Sequence, residues 1–196
     1  MNTENFKPLN GIDLNFIQDK QMEVMFKYEP HEKEVFNNFD IDVYEDQEVF
    51  KRYAWRVTEE IVEALEDIEH PQHLKEELTD AFNFLIELYH LYGWRLEQLY
   101  PLEIPKMNLD GDKEKSFKIY AMQVIKQLGL ACNLLKNRPW RQSQYLVDLL
   151  VFEQRFKEVW PNFLLFLGVC GMTKEELFDQ WSLKYQVNKF RIESMY

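Results

Sequence analysis

The sequence predicts an all-α protein, a helical bundle of about six helices in one domain over residues 1 to 196, with a central antiparallel helix hairpin that carries an acidic metal site. Three observations lead to the fold class. Apolar residues recur at spacings of three and four over long windows, as amphipathic helices require. Only 6 Gly and 7 Pro interrupt the 196 residues. No run of Val, Ile and Thr alternates with polar residues long enough to build a sheet. A chain of this length buries a proper core.

The first helix is expected over about 12 to 28, where Leu14, Ile17, Gln21, Met25 and Tyr28 step along one face. An acidic, aromatic stretch, EVFNNFDIDVYEDQE, leads to a second helix over about 47 to 68, striped by Phe50, Tyr53, Ala54, Val57, Ile61, Ala64, Leu65 and Ile68. A third, over about 71 to 93, has Pro71 in its first turn, Gly93 at its end and an apolar stripe from Leu74 to Tyr92. The short link IEHP folds the second and third helices back on each other. A fourth spans about 115 to 136, a fifth about 142 to 167, and a last opens at Thr173 and runs nearly to the end, with a bend near 186 to 188.

The net charge of −11 repels nucleic-acid backbones and anionic membranes. No apolar run reaches the roughly 18 to 20 residues of a membrane span. Cys132 and Cys170 stand in apolar surroundings without metal-type spacing, so both are expected in the core of a cytoplasmic protein in a reducing setting. Trp55, Trp140 and Trp160 are likewise expected to be core residues.

At about 100° per residue, Glu60 and Glu63 fall on one flank of the second helix's apolar stripe, and Glu77 and Asp80 on the edge of the third's. A hairpin of these helices brings Glu60, Glu63, Glu77 and Asp80 together at the margin of the core. Like charges in a half-dry place repel and lose hydration, so they take up protons or need cations. Lys75 and Arg56 project elsewhere, and hard oxygen ligands suit Mg²⁺ or Mn²⁺ beside substrate phosphates. The plain alternative is a solvated acidic face, since 34 acidic residues make Glu-x-x-Glu spacings common by chance.

The hexamer KEELTD at 75 to 80 has a near twin, KEELFD, at 174 to 179. The second follows Gly-Met-Thr, so Thr173 and Glu176 read as a capping box rather than a site. Further along that helix Lys184, Asn188 and Arg191 share one face. Such a face either holds a triphosphate or is a solvated basic helix end. His70 and His73 have no further His or Cys nearby to complete a zinc site, and no Ser-His-Asp set, P-loop or dinucleotide fingerprint occurs.

The stretch TEEIVEALEDIEHPQHLKEELTDAFNFLIEL resembles the Glu-x-x-Glu, Glu-x-x-Asp signature of the all-α nucleoside triphosphate pyrophosphatases, the superfamily of dimeric dUTPases, MazG proteins and phage dCTP pyrophosphatases. GMTKEELFDQWSLKYQVNKFRIESMY is similar to the tail of its dimeric dUTPase and phage dCTPase-dUTPase branch, where Lys-x-x-x-Asn-x-x-Arg is followed by Tyr, here Lys184, Asn188, Arg191 and Tyr196. NLLKNRPWRQ has the look of a segment of the same group. The resemblance covers most of 12 to 28, 50 to 94 and 130 to 196.

It implies a homodimeric hydrolase that converts dUTP, and also dCTP, to the monophosphate and pyrophosphate, using two or more Mg²⁺ ions per site, with Mn²⁺ as substitute. Glu60, Glu63, Glu77 and Asp80 would ligate the ions, and Glu60 would take the proton of the attacking water. Lys184, Asn188, Arg191 and Tyr196 would hold phosphates. Gln18 or Gln21, with Asn83 and Phe84, would line the base pocket. Asn83 stands where His is common in the branch, which leaves the preferred base open. Two rivals are a broader MazG-like enzyme and a helical interaction protein that kept the fold without catalysis.

Overall fold

The computed structural model describes residues 6–99, 101–107 and 111–194, and among these the chain is all helical with no strand. There are eight helices of seven residues or more and one of four: α1 (Leu14–Tyr28), α2 (Glu32–Asn38), α3 (Tyr44–Glu66), α4 (Pro71–Leu91), α5 (Leu96–Leu99), α6 (Lys113–Cys132), α7 (Leu149–Lys157), α8 (Val159–Val169) and α9 (Lys174–Glu193). None is long and apolar enough to cross a membrane. One cluster of buried apolar side chains runs from Leu14 to Tyr185.

The count of six helices is corrected in two places. α2 begins two residues before the acidic, aromatic stretch and takes up its first five residues, held by Phe36, whose ring packs edge-on against Phe26 and Tyr53. The fifth helix, expected over 142 to 167, starts only at Leu149 and is divided at Glu158 into α7 and α8. Pro161 accounts for the division: it has no N–H for the carbonyl of Lys157, and its ring crowds that carbonyl. Residues 142 to 148 are instead tied into a turn. Asn137 donates to the carbonyls of Asp42 (2.7 Å) and Tyr145 (3.0 Å) and accepts from the Tyr145 N–H (2.7 Å). The side chain of buried Gln47 accepts from the Asn137 N–H at 3.0 Å. α9 runs unbroken through 186 to 188.

α4 is the most deeply embedded helix, with Leu74, Leu78, Ala81, Phe82, Leu85 and Leu88 all buried as its stripe predicts, and Ile86, Tyr89 and Leu91 buried besides. It packs most extensively against α3, to which residues 67 to 70 join it, and it also touches α1, α2 and α9. Pro71 opens it and Gly93, at φ 81°, follows its end in the left-handed region open to glycine. At its far end Tyr89 stacks on Phe156 with ring centres 4.4 Å apart, and Trp94 lies against the same ring at 5.3 Å. Two tryptophans depart from expectation: Trp55 is 62% and Trp140 76% exposed, while Trp160 is fully buried.

The segment 102 to 107 crosses α8 at Gly168, where an added Cβ would lie 2.2 Å from the Pro105 carbonyl oxygen. Backbone cannot step aside there as a long side chain could. Gly168→Ala is therefore expected to lower stability by about 1–3 kcal/mol through overpacking. Urea denaturation followed by circular dichroism checks it, and a variant as stable as wild type would mean that the crossing is loose.

Candidate functional site

On α3, burial of Val57, Ile61 and Ala64 rolls Glu60 to the half-buried edge facing α4. On α4, burial of Leu78 and Ala81 does the same for Glu77 and Asp80. Each of Glu60, Glu77 and Asp80 places a carboxylate oxygen within 4.8 Å of the others. Glu63, expected as a fourth member, is exposed and stays outside this group. It lies roughly 60° further round the helix than Glu60, although its charge still bears on Glu60.

The crowding is legible in protonation. Burial, then a hydrogen bond with Glu77, then the charges of Glu63 and Glu77 push the Glu60 carboxyl up to about 7, against an opposing pull from Lys184. That opposing charge is the main departure from the expected site, because the acids do have a cation. Lys184 of α9 forms an ion pair with Asp80, half-buried on both sides. Burial pushes the Lys184 ammonium down, while Glu77, Glu60 and Glu76 hold it up and Arg191 adds to the lowering. No spacing rule relates positions 80 and 184, so local sequence patterns leave this pair unseen.

Beside the acids, α4 and α9 enclose an open cleft of about 390 Å³. Lys184, Asn188 and Arg191 all line it from α9, with Gln72, Glu76 and Thr79 opposite on α4. Tyr196 lies outside the described residues. α9 is set by the capping box expected at its start: Glu176 N–H donates to Thr173 Oγ1 at 3.2 Å, and Thr173 N–H to Glu176 Oε2 at 2.9 Å. Glu176 also receives Lys75 at 2.6 Å, so the twin hexamers clasp each other and pin α9 to α4.

The four residues expected at the base divide. Gln18 is fully buried and both ends of its amide are taken by backbone, donating to the Trp94 carbonyl at 2.8 Å and accepting from the Leu96 N–H at 3.3 Å. Gln21 is half-buried and donates to Glu87 Oε1 at 2.8 Å. Asn83 donates to Asp80 Oδ1 at 3.4 Å, and half-buried Phe84 has the Arg56 guanidinium 5.2 Å over its ring. Glu87 was missed by sequence reasoning. It is 3% exposed, and burial pushes its carboxyl up to about 7, against the hydrogen bond from Gln21 and the charge of Arg56, with Glu29 adding to the rise. The available signal was one acid inside the apolar run from Phe84 to Tyr89.

No family model, no curated protein and no solved structure matches the chain. The site is therefore judged on its own chemistry. Three carboxylate ligands gathered at a half-buried edge, beside a cleft that Lys184 and Arg191 line from α9 and Glu76 lines from α4, fit a hard divalent ion such as Mg²⁺. A second group, Glu29, His31 and Glu32, is already neutralised by Arg56 on Glu29 and Arg52 on Glu32. His70 and His73 are exposed around Asp67 and join no such group. Both cysteines are free and half-buried, and burial pushes the Cys132 thiol up to about 11 and raises Cys170 as well.

The raised carboxyls have a thermodynamic consequence. Glu60 and Glu87 hold protons more tightly in the folded chain, at about 7, than at their ordinary value of 4.5. Between those values the folded state binds more protons than the unfolded one, so stability falls as pH rises through that window. Glu87→Gln removes one of the two groups. Its melting temperature relative to wild type is expected to rise from pH 5 to about pH 7 and to level off above that, and a difference that stays constant would place the Glu87 carboxyl in its ordinary range.

Proposed function

We propose that this chain is a Mg²⁺-dependent nucleoside triphosphate pyrophosphohydrolase acting on the pyrimidine deoxynucleotides dUTP and dCTP, with the all-α pyrophosphatase superfamily as its kin. One observation carries the reading: Glu60, Glu77 and Asp80 converge beside a cleft that Lys184, Asn188 and Arg191 line. Lys184 joins the two, since it lines the cleft and forms the ion pair with Asp80 at the acidic group.

Bound Mg²⁺ or Mn²⁺, which Glu60, Glu77 and Asp80 would hold, would neutralise phosphate oxygens and acidify a water. The chain's own groups do the rest. Lys184 and Arg191 take up the negative charge that moves onto the departing pyrophosphate, and the Asn188 amide orients a phosphate oxygen. Glu60 would accept the proton of the attacking water. Water adds to a phosphorus flanking the α–β bridge, the bridging P–O bond breaks, and monophosphate and pyrophosphate leave.

The reading also implies a homodimer, and the edge of α7 offers a face for a second copy. Leu146 is 80% exposed, Leu150 83% and Leu149 47%, an apolar grouping of the kind that marks contact surfaces. Light scattering is expected to give twice the chain mass, and Leu150→Glu to give the single-chain mass; a wild-type monomer would refute the dimer.

The decisive test is pyrophosphate release from each dNTP with Mg²⁺. Glu77→Ala and Asp80→Ala are expected to lose at least about a hundredfold in kcat, the scale of removing groups that act on a transition state, together with Mn²⁺ binding read by calorimetry. Turnover of no triphosphate, or full activity in both variants, would overturn the reading.

A further inference from the structure

Chain ahead of α1 contributes a wall of the cleft. Residues 6 to 9, Phe-Lys-Pro-Leu, run along α9: the Leu9 N–H donates to Ser182 Oγ at 3.1 Å, and Gln186 Nε2 donates to the Lys7 carbonyl at 2.8 Å. Pro8 between them has no N–H to satisfy and keeps Lys7 away from helical backbone, so the stretch suits an extended strap. Two extended residues span at most about 7 Å, and Ser182 and Gln186, one turn apart, are separated by a rise of about 6 Å. The lengths match. Ser182 has no exposed surface, and its hydroxyl donates to the Asp179 carbonyl at 3.1 Å while it accepts from Leu9. Gly11, at φ 70°, makes the left-handed turn that joins the strap to α1.

Phe6, next along the strap, stands on the wall of the cleft with Leu183 and Val187, beside Lys184, Asn188 and Arg191. Leu9 and Ile12 pack against the core, whereas Phe6 is half-buried and outside that cluster. Core packing therefore gives no account of where this ring sits, and the cleft does. We infer that residues 6 to 9 are a strap that completes the cleft and that Phe6 is a ligand-binding residue, on which the flat ring of a bound nucleotide packs while Lys184 and Arg191 hold its phosphates. This rests on the triphosphate reading of the cleft and adds to it a residue from outside the segments that carry the family resemblance.

Every base has a π face, so the Phe6 ring adds affinity without choosing among bases. The side chains beside it on that wall, Leu183 and Val187, have no donor or acceptor to choose with either. Linkage then couples the strap to the ligand. If a nucleotide binds about tenfold more tightly with Phe6 in place, a saturating nucleotide makes opening of the strap rarer by the same factor. The Leu9 amide loses its Ser182 partner in that opening and reports it by hydrogen exchange.

The test is calorimetry on the full chain in Mg²⁺ with the α,β-imido analogues of dUTP and dCTP, which resist cleavage at that bridge, and with inorganic tripolyphosphate. Phe6→Ala is expected to weaken both analogues by about tenfold, the scale of one lost stacking contact, and tripolyphosphate by less than about twofold. Phe6→Tyr, which keeps the ring, is expected to bind all three as wild type does. Saturation with either analogue is expected to slow exchange of the Leu9 amide in wild type by about tenfold and to leave it unchanged in Phe6→Ala. Analogue affinities untouched by Phe6→Ala, a loss for tripolyphosphate as large as for the analogues, or Leu9 exchange indifferent to the analogues in wild type would each overturn the inference. Binding of neither analogue by wild type would overturn it together with the triphosphate reading. Hydrolysis of dUTP and dCTP at wild-type kcat/KM in Phe6→Ala would overturn the inference alone, and Phe6-dependent binding without hydrolysis would overturn the enzymatic reading alone.

Discussion

Three carboxylates that share a half-dry corner repel one another unless a proton or a cation joins them, and the packing around α4 is organised by that constraint. The corner exists because α3 and α4 press their apolar stripes together, leaving Glu60, Glu77 and Asp80 on the seam. Compensation comes partly from a proton, held on Glu60 up to neutral pH, and partly from the Lys184 ammonium that α9 delivers to Asp80. Burial of Leu177, Trp181 and Tyr185 sets where α9 lies, with the Lys75–Glu176 pair at its start adding a contact of small intrinsic worth.

α4 must be apolar enough to be embedded and polar enough to carry function, and it separates the two by angle. Asp80, Asn83, Phe84 and Glu87 fall within roughly 100° of arc, while Leu78, Ala81, Phe82, Leu85 and Leu88 are buried in the core. Polar groups along that arc are satisfied unevenly. Glu87 has Gln21 for one oxygen, and Asn83 has Asp80 for its nitrogen.

Much of this was legible in the residues alone. Period and punctuation located α1, α3, α4, α6 and α9 to within a few residues, and the capping box separated KEELFD from KEELTD. Helical angle put Glu60, Glu77 and Asp80 at the edges of their stripes, where the structure gathers them, and also Glu63, which stays exposed and outside the group. What escaped was of three kinds. Pro161 was read through as though a helix tolerated it, which merged α7 with α8. The burial of Gln18, whose amide is taken by the turn at Trp94 and Leu96, depends on a segment some 76 residues away that helical period does not reach. Lys184 at Asp80 and Gln21 at Glu87 join residues 104 and 66 positions apart, and one-dimensional periodicity carries no information at that range.

Lys184 faces two demands that one ammonium cannot meet together. Its helix neighbours Asn188 and Arg191 line the cleft, whereas its own nitrogen is on Asp80 at the acidic corner. With the corner otherwise uncompensated, the Coulomb pull of Glu60, Glu76 and Glu77 keeps it there in spite of its burial. Under the proposed function, a divalent ion at the corner would replace that pull with repulsion between like charges, and the freed ammonium would find phosphate oxygens as its remaining partners. Metal and triphosphate then favour each other through a single side chain, because each makes the other's preferred position of Lys184 the cheaper one.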